Sequence, residues 1–272
     1  MTAREPITVW VDGVGLLAPG IADWGAGRAL LRGEAGHVGE RTVLPAPELL
    51  PAAERRRASR IIKAALAAGL QACRAADADP AGLPNVFASS GGDGDNCHQL
   101  CELLASGDRQ ISPTRFHNSV HNAASGYWSI ATGATSAAQV LGAHDASVAA
   151  GLLEAMTQID ASGAPVLLVC ADSEYPEPLN AKRPIQDASA FALVLTPARG
   201  PRSIAKLELP RHGAFRDDAG DAHLPPTLAA LMPTMPPMRG LPLLAALAAG
   251  QAGAVALAYW PPQWLWLKVA PA

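Results

Sequence analysis

The stretch Val140–Ala155, VLGAHDASVAAGLLEA, places His144, Asp145 and Ser147 within four positions. An apolar run precedes them, and small and apolar residues follow at helical spacing. A strand that turns sharply into a helix is where many α/β enzymes display a nucleophile, and imidazole, carboxylate and hydroxyl are the groups of a nucleophile, its base and its orienter. Neighbours on one tight turn cannot line up with one another as a triad, so chemistry here would need partners from elsewhere in the chain. The competing reading is a helix cap. Short side-chain oxygens accept hydrogen bonds from first-turn amides, and the helix dipole favours a carboxylate there. On the local residues alone, capping outweighs catalysis.

Two further groupings invite chemistry and carry less. Cys97, His98 and Cys101, with His117 and His121, are zinc-ligand types at one-turn spacing. Closely spaced C-x-x-C knuckles are absent, however, and cysteines four apart suit a helix core, so no metal is expected. Gly13–Ala18, GVGLLA, fits a dinucleotide fingerprint after a strand. That fingerprint works by aiming the amides of a following helix at a pyrophosphate, and Pro19-Gly20 would interrupt the helix in its first turn. The glycines are read as a strand-end turn, and no cofactor is expected.

The elements that would position these residues follow from periodicity. ITVWVDGVG (Ile7–Gly15) reads as a buried strand, and AAERRRASRIIKAALAAGLQACRAA as one long helix with Ile61, Ile62, Leu66, Leu70 and Cys73 on a stripe. Asn85–Asn96 is a short strand opening into a glycine-rich loop, with Asn96 the expected cap of the next helix. A helix from about Asn122, a strand Ala138–Ala143 and a helix Ser147–Ile159 follow. Ala164–Asp172 and Ala188–Pro197 are continuous apolar strands of the type buried on both faces. Beyond Pro210 prolines cut the chain into short pieces, and AVALAYW-PPQ-WLWLKV predicts a closing hairpin.

Bulk properties narrow the class. With 49% apolar and 17% charged residues, the 272-residue chain can bury a large core. Its formal charge of -3 and its arginines, clustered at Arg55–Arg57 and Arg60 without interleaved aromatics, argue against nucleic acid as a partner. Four cysteines without a disulfide spacing fit a reducing cytoplasm. The N-terminus lacks the pattern of a signal peptide. Gly240–Trp260, rich in alanine but interrupted by Pro242 and Gln251, reads as a buried helix and strand rather than a membrane span.

Ser112–Ala155 changes the weighing. SPTRFHNSVHNAASGYWSIATGATSAAQVLGAHDASVAAGLLEA resembles the segment of β-ketoacyl synthases that leads into their active-site elbow. Family members show Ser-Pro, an Asn followed by Gly-x-x-x-Ile, a turn glycine, a short strand and Cys-Ala-Ser/Thr-Gly. Ser112-Pro113, Asn122, Gly126, Ile130, Gly133, Ala146, Ser147, Leu152 and Ala155 fall in register with that pattern. The flanking strands agree in order and spacing over roughly residues 5–200. The resemblance implies an α/β fold: a thiolase-like N-terminal half with a mixed sheet and helices on both faces (residues 1–200), plus a short helix and hairpin extension (201–272).

The departures set the functional expectation. The family's nucleophilic cysteine falls on Asp145, and a carboxylate is a poor acyl acceptor where a low-pKa thiolate is needed. The histidine pair of the family's C-terminal half has no counterpart, and that half is read as largely missing. The resemblance therefore implies an inactive subunit similar to the chain-length factors of type II polyketide synthases and to the short ketosynthase-like proteins of aryl-polyene assembly. Its partner would be an active ketosynthase, with an acyl carrier protein reached indirectly. The surface for partner and acyl chain would comprise Thr114, Arg115, Phe116 and His117 with strand residues Ala138, Gln139, Val140 and Leu141. Asp145 would remain as a capping anion. A stand-alone acyl-thioester hydrolase or acyltransferase using Ser147 or His144 stands as the alternative, and a homodimeric acyl-binding protein as a third.

Overall fold

A computed structural model describes residues 5–107 and 110–272; the first four residues of the segment read for a signal peptide lie outside it. In chain order the elements are β1 (Ile7–Leu17), α1 (Trp24–Leu31), α2 (Ala52–Arg57), α3 (Arg60–Ala76), β2 (Asn85–Ala88), α4 (Gly94–Ala105), α5 (Pro113–His117), α6 (Ala123–Thr132), β3 (Ala138–Leu141), α7 (Ser147–Ser162), β4 (Val166–Asp172), α8 (Leu179–Lys182), β5 (Ser189–Thr196), β6 (Ala205–Leu209), β7 (Phe215–Arg216), α9 (Pro226–Ala229), α10 (Leu241–Ala249), β8 (Gly253–Ala258) and β9 (Trp264–Pro271). Short 3-10 turns at His144–Ala146 and Pro236–Gly240 precede α7 and α10.

The strands join one mixed sheet in the order β3-β2-β4-β5-β1-β6-β9-β7, with β8 paired to β9. Pairings β2–β3 and β2–β4 are parallel, and the others are antiparallel. Because side chains alternate along a strand, the unbroken apolar runs of β4 and β5 feed two cores at once. Leu167, Val169, Ala190, Ala192 and Val194 face a layer built on α3, whereas Val166, Leu168, Phe191, Leu193 and Leu195 face one built on α7. The smaller side chains lie on the α3 side. There Ala64, Ala65 and Ala68 let the helix approach closely, and Trp128 and Tyr127 of α6 fill what remains, both fully buried.

Three local expectations change in the structure. Gly13 and Gly15 form no turn: they lie inside β1, where a Cβ would collide with the backbone of Ala72 and Ala68 in α3. They serve helix–strand packing rather than phosphate binding. The long arginine-rich helix is two, because Ala58 is extended (φ -65°, ψ 116°) and α3 restarts at Arg60. Asp93, not Asn96, caps α4, accepting from the Asn96 amide at 3.0 Å. Aspartate and asparagine both suit that role, and the position at the helix start decides between them.

The closing hairpin forms as its alternation predicts, and it enters the sheet: β9 pairs with β6 along Glu208–Ala205 and with β8 on its other side. Among the described residues no helix is long and apolar enough to cross a membrane.

Candidate functional site

The turn around His144 is a strand–turn–helix elbow. β3 ends at Leu141, Gly142 and Ala143 lead into the 3-10 turn, and α7 begins at Ser147. His144 takes φ +52°, a left-handed conformation rare outside glycine and asparagine. Two bonds through one hydroxyl hold it there. Ser147 Oγ donates to the His144 carbonyl at 2.7 Å and accepts from the Ala143 amide at 3.0 Å. Ser147 is buried, with its proton committed to backbone, while the His144 side chain points outward and is 69% exposed. The two lie on one turn without forming a nucleophile–base pair.

Asp145 does not cap α7; no side chain caps that helix. Its carboxylate turns to two guanidiniums instead. Arg183 Nη2 donates to Oδ1 at 2.9 Å, and Arg239 Nη2 donates to Oδ2 at 2.8 Å. Both cations are more buried than the anion, with side chains 20% and 23% exposed against 41%. Charge-assisted bonds to both oxygens outcompete a bond to one helix amide, which is the physical reason the capping expectation fails. Arg183 follows α8, and Arg239 belongs to the turn before α10, so the elbow joins three distant segments.

A second carboxylate lies behind the first. Asp172, at the end of β4, is buried and accepts from the Ser89 hydroxyl (2.9 Å), the Ser90 amide (3.0 Å) and the Ser90 hydroxyl (2.9 Å). Burial pushes its carboxyl up to about 6, against the opposing pull of the serine bonds and of Arg183. Arg183 thus interacts with both Asp145 and Asp172. The residues missing from the sequence reading are Arg183, Arg239, Asp172, Ser89 and Ser90. An aspartate closing an otherwise apolar, fully buried strand was the one signal available for Asp172. Nothing local marks the two arginines, which lie 38 and 94 positions from Asp145.

The surface assigned to a partner divides. Phe116 is 66% exposed and Val120, one turn on, is 51% exposed. Thr114 and His117 line a recess with Glu54, Arg57 and Ile130, and the His117 ring meets Tyr127 edge-on. The Arg115 carbonyl accepts from the Asn96 side chain at 2.9 Å, anchoring α5 to α4. In β3, Ala138 and Gln139 are exposed and Val140 and Leu141 half-buried. The amides of Asn85 in β2 and of Ser89 just after it donate to the carbonyls of Ala137 and Leu141, so alternation turns the backbone groups of Ala138 and Val140 outward. Val120, His121 and Val140 enclose a small apolar cavity with Phe87 and Ile61, of about 20 Å³. It has room for about one water and none for an acyl chain.

Cys97 and Cys101 carry no disulfide and lie at the surface of α4, where partial desolvation and the neighbouring Cys101 raise the Cys97 thiol above its usual range. His98 is 3.3 Å from Glu102. Among the described residues no group of three or more histidine, cysteine, aspartate or glutamate side chains is arranged to hold a metal ion.

No curated protein matches the sequence. Solved structures do. A chain of the ketosynthase (ApeO) in complex with its chain length factor (ApeC) from Xenorhabdus doucetiae superposes with a TM-score of 0.71 at 23% identity, over 97% of this chain and 99% of that one. The ishigamide ketosynthase/chain length factor gives 0.72 at 13% identity, with the same coverage. AntDE:AntF, a type II polyketide synthase acyl-carrier protein in complex with its hexaketide-bound ketosynthase, gives 0.71 at 14% identity over 99% and 100%. At these identities the likeness establishes the thiolase-like ketosynthase fold. The model of the β-ketoacyl synthase N-terminal domain matches residues 33–266, most of the chain. By that match this protein belongs to the β-ketoacyl synthase N-terminal domain family.

Proposed function

We propose that the protein is a catalytically inactive, chain-length-factor-like subunit. It pairs with an active β-ketoacyl synthase and contributes a wall to that partner's acyl tunnel, in polyketide or fatty-acid-type synthesis of the aryl-polyene kind. One observation carries the reading. Where the resemblance expects a nucleophilic cysteine, the elbow holds Asp145 with each oxygen bonded to a guanidinium. A carboxylate so held is a still weaker acyl acceptor than a free one, because both arginines stabilise the charge that acyl transfer would consume.

The pairing surface is supported by β3, a four-residue edge strand with outward backbone groups at Ala138 and Val140, and by the exposed Phe116 and Val120. The cavity beside Val140 is too small for an acyl chain, so a tunnel would have to be completed by a second subunit. One of the structural neighbours is itself a ketosynthase in complex with its chain length factor.

Geometry weighs against the hydrolase alternative. Ser147 donates to a backbone carbonyl and has no imidazole partner. Purified chain should leave a generic acyl thioester intact; hydrolysis abolished by Ser147→Ala would reverse the assignment. Within the reconstituted complex, Phe116→Ala should change the distribution of product lengths. An unchanged distribution would remove Phe116 from the tunnel.

A further inference from the structure

Arg183 and Arg239 reach Asp145 from two separate segments of the chain. Arg183 comes from the β4–β5 connection, and Arg239 from the 3-10 turn that precedes α10. Their guanidiniums contact opposite oxygens of one carboxylate at 2.9 and 2.8 Å. Arg183 also faces the buried Asp172, and Arg239 Nε is buried without a hydrogen-bond partner among the described residues, so the donor capacity of Arg239 exceeds what Asp145 uses. Planar, forked guanidiniums converging on two oxygens are the usual protein solution for recognising a carboxylate. The site lies at the start of the 16-residue α7, whose dipole adds positive potential.

The segment delivering Arg239 closes over the elbow. Pro236, Pro237 and Met238 are buried against α7 and the sheet, and Gly240 sits so close to the Phe191 ring that a Cβ would strike it. Near the elbow, the ionic cluster is the polar fastening of an otherwise apolar contact.

We propose that Arg183 and Arg239 form a carboxylate-binding site that this chain fills with its own Asp145, and that this internal ligand latches the segment before α10 onto the elbow. Asp145 is then a positioning residue and not a relic. The contacts concerned all lie within one chain. The latch stands or falls independently of the partner proposed above, because both measurements below can be made on the full chain in whatever assembly it purifies.

The first test restores the ligand from solution. Asp145→Ala should unfold at lower temperature than the parent. Sodium acetate, compared with sodium chloride at equal ionic strength, should recover part of that loss in the variant and little in the parent. Asp145→Ala combined with Arg239→Ala should show no acetate-specific recovery. Acetate and chloride acting alike on Asp145→Ala would overturn the proposal.

The second test survives if the alanine variant does not fold. Asp145→Cys places a thiol between the two arginines, with His144 Nδ1 (3.7 Å from Asp145 Oδ1) and Asp172, across Arg183, as the other titratable neighbours. Adjacent guanidiniums lower a thiol's pKa from about 8.5. Iodoacetamide modification of that peptide at pH 6.5, followed by mass spectrometry, should run about tenfold faster than at the exposed Cys101, and Arg239→Ala should remove most of the gain. Equal rates at the two cysteines would overturn the proposal.

Discussion

The two ends of the sheet contrast. At one end β9 is paired on both sides, and Leu265, Leu267 and Val269 reach the core almost without exposure. Its outer strand is the six-residue β8, with Val255, Ala256 and Leu257 buried, while the two-residue β7 lies end to end with β6 on the other side of β9. At the other end β3 has four residues, two of them exposed, with an unpaired edge. The elbow follows β3 directly, and the exposed Val120 shares a small cavity with Val140. Both ends leave an edge strand among the described residues, but β8 buries three of its six residues in the core and β3 buries none of its four. The same sheet therefore separates a region that stabilises from a region that presents.

Substitutions at the two ends should differ in kind. Leu265→Ala, at a fully buried β9 position, should cost about 2–5 kcal/mol through lost burial and a residual cavity, read by chemical denaturation. A loss under about 1 kcal/mol would mean that the hairpin is peripheral to the core.

Asp172 lies between the ends and offers a pH-dependent test. Its folded-state pKa is raised from 3.8 to about 6, so the folded protein holds that proton more tightly than the unfolded chain. Its contribution is complete below about pH 4 and is lost as pH rises through about 6. Asp187 runs the other way. Burial would raise its carboxyl, but the amides of Thr42 and Ala188 together with Arg60 hold it below the usual range, so its contribution is lost as pH falls. The difference in unfolding free energy between the parent and Asp172→Asn should change across pH 4–6 by on the order of 3 kcal/mol. A flat difference would show that the Asp172 carboxyl titrates normally.

The smallest effect on stability is expected at the open end. Proline is tolerated at the first residue of an edge strand. Because the Ala138 amide points away from β2, Ala138→Pro should cost less than about 1 kcal/mol. It should nevertheless abolish association with the partner, read by co-purification. A large loss of stability would show that β3 is completed within the chain.

How much of this was legible in the sequence follows the range of the interactions. β4 and β5 were readable because unbroken apolar runs have few alternatives, and the closing hairpin was readable from its alternation around Pro261-Pro262. The elbow was readable as a turn between an apolar strand and a small-residue helix. What holds Asp145 was not, since pairing with Arg183 and Arg239 is set by tertiary approach and leaves no periodic trace. The same blindness misassigned Gly13 and Gly15. A glycine in a strand marks either a turn or the close passage of another backbone, and only the position of α3 decides between them.

Completion of β3 by an active ketosynthase is the central claim. The direct measurement is to tag the chain in its native host, recover it gently and quantify what accompanies it. The expected result is a ketosynthase with an intact nucleophilic cysteine in one-to-one amount, lost on Ala138→Pro. A soluble chain recovered alone, or only with copies of itself, would contradict the claim.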